Sequence, residues 1–269
     1  MSAKQLEFPL FIGTMGFAYK DWNSVFYPAD LASRSYLNYY SRIFNSVEID
    51  SSFYGTPARR TIQKWLADTP PEFKFTLKAP QKITHELALV NSWGYMAEFI
   101  DTVRALGNRL GVILLQFPPS FTISQLKGLE QFIVLLPGDL KFAIEIRHQS
   151  WYTAERDFAA LLQEYQIAWA ATHYPGLPGT LHHTADFFYI RWIGKHGSYR
   201  QHDFERMDRT ADLSQWWQNI QSSSEGINNL FGYFNNDYAG FAVGTAMKFL
   251  ELIGQPVKAP DQPKQTRLF

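Results

Sequence analysis

No cysteine occurs anywhere in the 269 residues. That excludes disulfides, thiolate zinc sites, iron–sulfur clusters and a cysteine nucleophile. Neither sign of charge dominates: Lys plus Arg and Asp plus Glu number 25 each, for a formal net charge of zero. Non-specific nucleic-acid binding through net charge is therefore disfavoured, and only a local basic patch is left for such a role. No apolar stretch approaches the roughly 18 residues that a membrane-spanning helix requires. Met1–Gln5 lead straight into a strand-like run, with no signal-peptide core. The expectation is a soluble, cytoplasmic chain with no membrane association. No Walker pattern, dinucleotide fingerprint or Gly-x-Ser-x-Gly elbow is present, and Gly194 to Gly197 matches no phosphate loop.

What is abundant is apolar and aromatic. Hydrophobic residues make up 46% of the chain, enough for a full core, and 22 Phe, 14 Tyr and 8 Trp leave a surplus able to line a cleft. Short apolar runs recur as strand candidates at 11–14, 46–51, 73–78, 111–117, 142–147, 167–172, 187–193 and 230–235. Helical patterns cover 34–44, 95–106, 123–136, 155–165, 213–222 and 241–253. The link 172–187 carries Pro175, Gly176, Pro178 and Gly179, so any helix there is short or missing. Strand–helix alternation implies a parallel sheet with right-handed crossovers. Eight such units predict a single (β/α)8 TIM-type barrel over residues 1–257, with its site at the C-terminal ends of the strands. The alternative is an open doubly wound sheet. Residues 258–269, rich in Pro, Gln and charge, are expected to form a mobile tail.

Side chains alternate along a strand. In the run 142–147 the apolar face is Phe142, Ile144 and Ile146, so Glu145 and Arg147 should point inward. The same reading turns Glu48, Asp50, Thr76, Lys78, Gln116, Tyr189, Arg191, Tyr233 and Asn235 inward. Buried charges must pair or meet a ligand. Glu48 and Glu145 can act as general acid and base, or as acid and nucleophile in glycoside cleavage, or can simply neutralise Arg147, Lys78 and Arg191. Those three cations can hold a phosphate or carboxylate, with His148 as a further substrate-binding candidate and Asn235, Asn236 and Gln116 orienting the substrate. His85 is a candidate proton shuttle. Tyr19, Trp22, Phe53, Tyr54 and Trp151 fall near loops after strands and can stack a sugar or base, or pack on themselves as a lid. His85, His148 and His173, with the two glutamates, offer donors for a divalent metal. Their spacing fits no standard zinc motif, so no cofactor is predicted.

These residues also carry a resemblance. Ile12-Gly13-Thr14-Met15-Gly16, Val47-Glu48-Ile49-Asp50-Ser51-Ser52-Phe53-Tyr54, Leu115-Gln116-Phe117-Pro118-Pro119, Glu145-Ile146-Arg147-His148, Tyr189-Ile190-Arg191 and Tyr233-Phe234-Asn235-Asn236 together resemble the YecE-like proteins, domain-of-unknown-function family 72. The match runs from about Phe11 to about Ile253. It implies a TIM-type barrel and leaves the reaction open. Similar proteins commonly carry Asn at the position of Asp50 and His at that of Ile193, and the strand-six carboxylate often seen in the family is not evident near Ala171–His173. In the tail, Gln265-Thr266-Arg267-Leu268-Phe269 resembles the pentapeptide by which bacterial DNA-processing proteins bind the sliding clamp, with Gln265, Leu268 and Phe269 as the anchors. Two expectations follow. One is an enzyme of hydrolase or lyase type acting on a phosphorylated small molecule or nucleic-acid-related substrate; the other is a non-catalytic anion- or nucleic-acid-binding module recruited to the clamp.

Overall fold

A computed structural model describes residues 8–257. Nine parallel strands are formed there: β1 (Leu10–Thr14), β2 (Ser46–Ile49), β3 (Lys74–Lys78), β4 (Leu110–Gln116), β5 (Lys141–Glu145), β6 (Ala168–Trp169), β7 (Ala171–His173), β8 (Phe187–Trp192) and β9 (Asn229–Phe234). The α-helices are α1 (Tyr36–Tyr40), α2 (Arg59–Asp68), α3 (Trp93–Val103), α4 (Leu126–Ile133), α5 (Ser150–Thr153), α6 (Glu155–Glu164), α7 (Thr210–Ser222), α8 (Asn236–Ala239) and α9 (Ala242–Leu252). No helix lies between β7 and β8, as the prolines and glycines of that link required. None of the described helices is long and apolar enough to cross a membrane.

The strands form two parallel sheets, β1-β9-β8-β7 and β2-β3-β4-β5-β6, and not the closed eight-stranded TIM-type barrel that the alternation predicted. The reason lies in side chains that take ladder positions. On β1, Ile12 N donates to Asn45 Oδ1 (3.0 Å) and Thr14 N to the Tyr40 hydroxyl (2.8 Å). Those two N–H groups therefore have no bond to give β2, and only an isolated Met15–Glu48 bridge joins the strands. At the other break, Trp169 N donates to Thr184 Oγ1 (2.8 Å). The predicted sixth strand is split there into β6, paired with β5, and β7, paired with β8.

Two apolar clusters follow from the alternation of side chains. Val47, Ile49, Phe142, Ile144 and Ile190 belong to the larger cluster, packed with helix residues such as Phe99, Leu129, Phe158 and Phe249. Val112, Leu114, Ala143, Tyr189, Phe231 and Tyr233 belong to a second, enclosed by the strands of both sheets. Polar bonds cross this inner space. The Tyr233 hydroxyl of β9 bonds Ser46 Oγ (2.6 Å) and Thr76 Oγ1 (2.8 Å), on β2 and β3. One step further toward the carboxyl ends lies the charged layer that forms the candidate site.

Candidate functional site

Arg191 on β8 is the hub of that layer. Its guanidinium is 3% exposed and reaches across to two carboxylates of the other sheet. Nε and Nη2 donate to Glu48 Oε2 (3.0 Å) and Oε1 (2.7 Å), a bidentate grip, and Nη1 donates to Glu145 Oε2. The Tyr189 hydroxyl donates to Glu48 Oε2, and Arg147 Nε donates to Glu145 Oε1 (2.6 Å). Both carboxylates are fully buried. Asp50 Oδ1 lies 3.8 Å from Arg191 Nη2 and is more open.

The two carboxylates differ electrostatically. Burial pushes Glu48 up to about 6, against the pull of Arg191 and with help from Asp50. Burial also opposes ionisation of Glu145, but Arg191 and Arg147 together overcome it and hold the group at about 2. Arg191 loses stabilisation by burial and regains more from Glu145 and Glu48, so its charge is held firmly. All three of its nitrogens serve carboxylates. Arg191, which the sequence marks as a candidate to hold a substrate anion, thus stands as a link between the two sheets.

Lys78 ends β3 beside this layer. Ser52 Oγ donates to Ile49 O (2.6 Å) and Lys78 O (2.7 Å), which pins the turn 50–53 to the end of β3. That sets the Phe53 ring against the lysine: Lys78 Nζ stands 3.8 Å from the ring centroid. Burial and then Arg191 lower the ammonium to about 8, partly offset by Asp50, Glu145 and Glu48. His85 packs edge-on against the same ring, centroids 4.8 Å apart, and its Nδ1 bonds Thr84 Oγ1 (2.8 Å). Burial and then Lys78 lower His85 to about 4, so it is neutral near pH 7. It sits in a π-helical turn, Lys82–Glu86, followed by left-handed backbone at Ala88, Leu89 and Asn91. Such strain gathers where function needs an unusual backbone.

Other predicted residues go elsewhere. Trp22 and Trp151 are fully buried among aromatic neighbours; their indole N–H groups donate to Asn236 Oδ1 (3.2 Å) and Phe121 O (2.8 Å). Both indoles, marked in the sequence as candidates to stack a sugar or base, are thus enclosed by protein groups. Asn236 is 3% exposed and its Oδ1 also accepts from Ala242 N (3.0 Å). Gln116 is 4% exposed, with Nε2 donating to Phe117 O (2.6 Å). Asn235 caps α8 through Oδ1, and His148 Nδ1 bonds Ser150 Oγ (2.8 Å). The Tyr19 hydroxyl donates to Met15 O (2.7 Å), and its ring lies on Trp22. Tyr54 is 78% exposed at the rim. Among the described residues no cluster of three or more His, Asp or Glu side chains is placed to hold a metal. The clamp-like residues Gln265, Leu268 and Phe269 lie outside the described residues.

The sequence reading missed a cavity of about 560 Å³ at the same strand ends, lined by His173, Tyr174, Lys195, Arg209, Trp216 and Asp237 among others. Tyr174 joins it to the charged layer, because the Arg147 guanidinium stands 5.2 Å from the Tyr174 ring centroid. Most of this lining lies in the links after β7 and β8, where no periodicity marks a residue as facing inward. Tyr189, which bonds Glu48, was legible as inward-facing but carries no charge to single it out.

A parallel α/β chain with a buried arginine–carboxylate hub and two part-buried cations, Lys78 and Arg147, at its strand ends is the class that fold and site define. The family model described as "Protein of unknown function DUF72" matches residues 11–267, and the chain belongs to that family. It is 26% identical over 278 residues to UPF0759 protein YunF of Bacillus subtilis, covering 91% of this chain and 94% of that one. It is 32% identical over 116 residues to UPF0759 protein YecE of Escherichia coli K12, a match spanning only 43% of each chain. A crystal structure of a DUF72 family protein from Thermotoga maritima superposes with a TM-score of 0.78 at 27% identity, covering 92% of this chain and all of that one. A DUF72 family protein from Enterococcus faecalis gives a TM-score of 0.74 at 20% identity over 95% and 99% of the two chains, a likeness of fold alone.

Proposed function

We propose that the chain is an enzyme of hydrolase or lyase type that binds a small anionic substrate, such as a phosphorylated metabolite, at the strand ends. One observation carries this reading: two cations there retain donors that no group among the described residues uses. Among the described residues, Lys78 Nζ has no ion pair and rests on an aromatic face. Arg147 gives only Nε to Glu145, and among the described residues no hydrogen bond is formed by its Nη atoms. In this reading Arg147 holds the anion, and Lys78 supplies an amine that can lose its proton near neutral pH, with His85 as a neutral neighbour. Glu48 and Glu145 are positioning residues that act through Arg191 and Arg147. Both are bound to the same guanidinium and enclosed, so neither is free to flank a glycosidic bond.

A small ligand suits the site better than a duplex, since the formal net charge is zero. The alternative of a non-catalytic module tethered to the sliding clamp has only the pattern of residues 265–269 behind it. Calorimetric titration with inorganic phosphate tests the anion site. Wild type is expected to bind, and Arg147→Met to lose about tenfold or more in affinity, the worth of one hydrogen bond to a charged group. Absence of phosphate binding by wild type, or equal affinity in the variant, overturns the assignment.

A further inference from the structure

The lysines of the described chain differ in what meets their ammonium groups. Lys64, Lys82, Lys141 and Lys248 are tied to carboxylates, and Lys74 donates to Asn108 O. Lys20, Lys127 and Lys195 are exposed or part-exposed on the surface. Lys74, Lys82 and Lys141 also lie over aromatic rings, but each has an ion pair or hydrogen bond as well; Lys78 differs in the combination. It is part-buried, it ends a strand beside four charged residues, and its nitrogen faces an aromatic ring with no ion pair or hydrogen bond among the described residues. The turn that carries Phe53 is bolted to Lys78 by Ser52, so the amine is held on a fixed platform.

We propose that Lys78 is a nucleophilic amine whose Nζ condenses with the carbonyl carbon of an aldehyde or ketone substrate bearing an anionic group. This deepens the reading of the strand ends as an enzyme's site and rests on it. In the step, the amine nitrogen bonds to the carbonyl carbon and the carbonyl oxygen takes up a proton. The resulting carbinolamine expels that oxygen as water and leaves an iminium ion. Overall, ammonium and carbonyl give iminium and water, with no oxidant or reductant needed. The iminium then draws electrons from the adjacent carbon, which is what cleavage or proton removal next to a carbonyl requires.

The surroundings suit this chemistry. A primary amine attacks only when unprotonated, and burial with a neighbouring arginine brings Lys78 down to about 8, within reach of neutral pH. The iminium keeps a positive charge, so Asp50, Glu145 and Glu48, which already favour the cation, stabilise it as they do the ammonium. Arg147, through its unbonded Nη atoms, receives the substrate's anionic group. A cavity of about 230 Å³ lined by Phe53, Tyr54, Pro80 and Tyr95 opens on the same ring.

Reductive trapping tests the proposal. The full chain is incubated with pyruvate and sodium cyanoborohydride at neutral pH, digested, and mapped by mass spectrometry. The expected result is a carboxyethyl adduct at Lys78 at least tenfold above any surface lysine, saturable in pyruvate and slower with acetone, which lacks the anion. Lys78→Arg keeps the charge and is expected to lose this adduct while retaining phosphate binding and its circular dichroism. In parallel, acetic anhydride labelling across pH should give Lys78 a midpoint near 8, below the surface lysines. Adducts spread over the surface with Lys78 unmodified, or an ordinary labelling midpoint at Lys78, overturn the proposal. Intact phosphate binding with no adduct rejects the covalent step alone; an adduct without phosphate binding rejects the anion site alone.

Discussion

At the residue scale the charged layer sets opposing pH dependences. Glu48 is raised from 4.5 to about 6, so its contribution to stability is present below 4.5 and lost as pH climbs through 6. His85 is lowered from 6.5 to about 4, so its contribution is present above 6.5 and lost as pH drops through 4. His173 and His182, also lowered by burial, tilt the same way as His85. Between 4.5 and 6 Glu48 and His85 therefore work against each other, and the wild-type profile is flattened. Glu48→Gln removes one side. The variant is expected to lose stability more steeply on acidification across that window, the difference from wild type changing by on the order of 2 kcal/mol. Urea midpoints at a series of pH values check this; parallel profiles for the two proteins would contradict it. Glu145 acts lower, its contribution present above 4.5 and lost toward 2.

Elements set how close β1 and β2 come. A Cβ on Gly13 would lie 2.0 Å from Ser46 O and 2.7 Å from the Tyr40 hydroxyl, the group that replaces a ladder bond. Backbone cannot yield as a flexible side chain does, so Gly13→Ala is expected to cost about 1–3 kcal/mol, read from thermal or urea unfolding. An unchanged midpoint would show that the strands can part freely. The same contacts explain what was legible. Alternation in runs such as Phe142-Ala143-Ile144-Glu145 told which side chains face the inner space, because burial on both sides leaves the strand no other register. Periodicity carries no information on a Tyr40, Asn45 or Thr184 side chain inserting into a ladder, so the breaks that open the sheets were not visible. Helix α2 escaped notice because only Ile62 and Trp65 of its ten residues are buried. At the site, charge at a strand end was readable, but the enclosure of Trp22 and Trp151 depends on partners far along the chain, such as Asn236.

Across the whole molecule, Arg191 couples the two sheets. It stands on the four-stranded sheet and holds carboxylates from β2 and β5 of the five-stranded one. Arg191→Met would leave two fully buried carboxylates without their shared cation. Breaking such a cluster from one side is expected to destabilise the fold by about 3–5 kcal/mol, measured by urea denaturation. A loss below about 1 kcal/mol, typical of exposed pairs, would mean that the layer is wetter than its geometry indicates. The two arginines therefore differ in their ties to the hub: among the described residues Arg147 gives it one nitrogen, whereas Arg191 gives all three.

The open position of Tyr54 has a practical corollary. The chain contains no thiol of its own, so a Tyr54→Cys substitution would create a unique handle for a maleimide fluorophore. Placed next to Phe53, on whose ring the Lys78 amine rests, such a dye would report occupancy at the rim as a change in brightness or anisotropy. Candidate metabolites could then be screened optically without knowing the reaction beforehand.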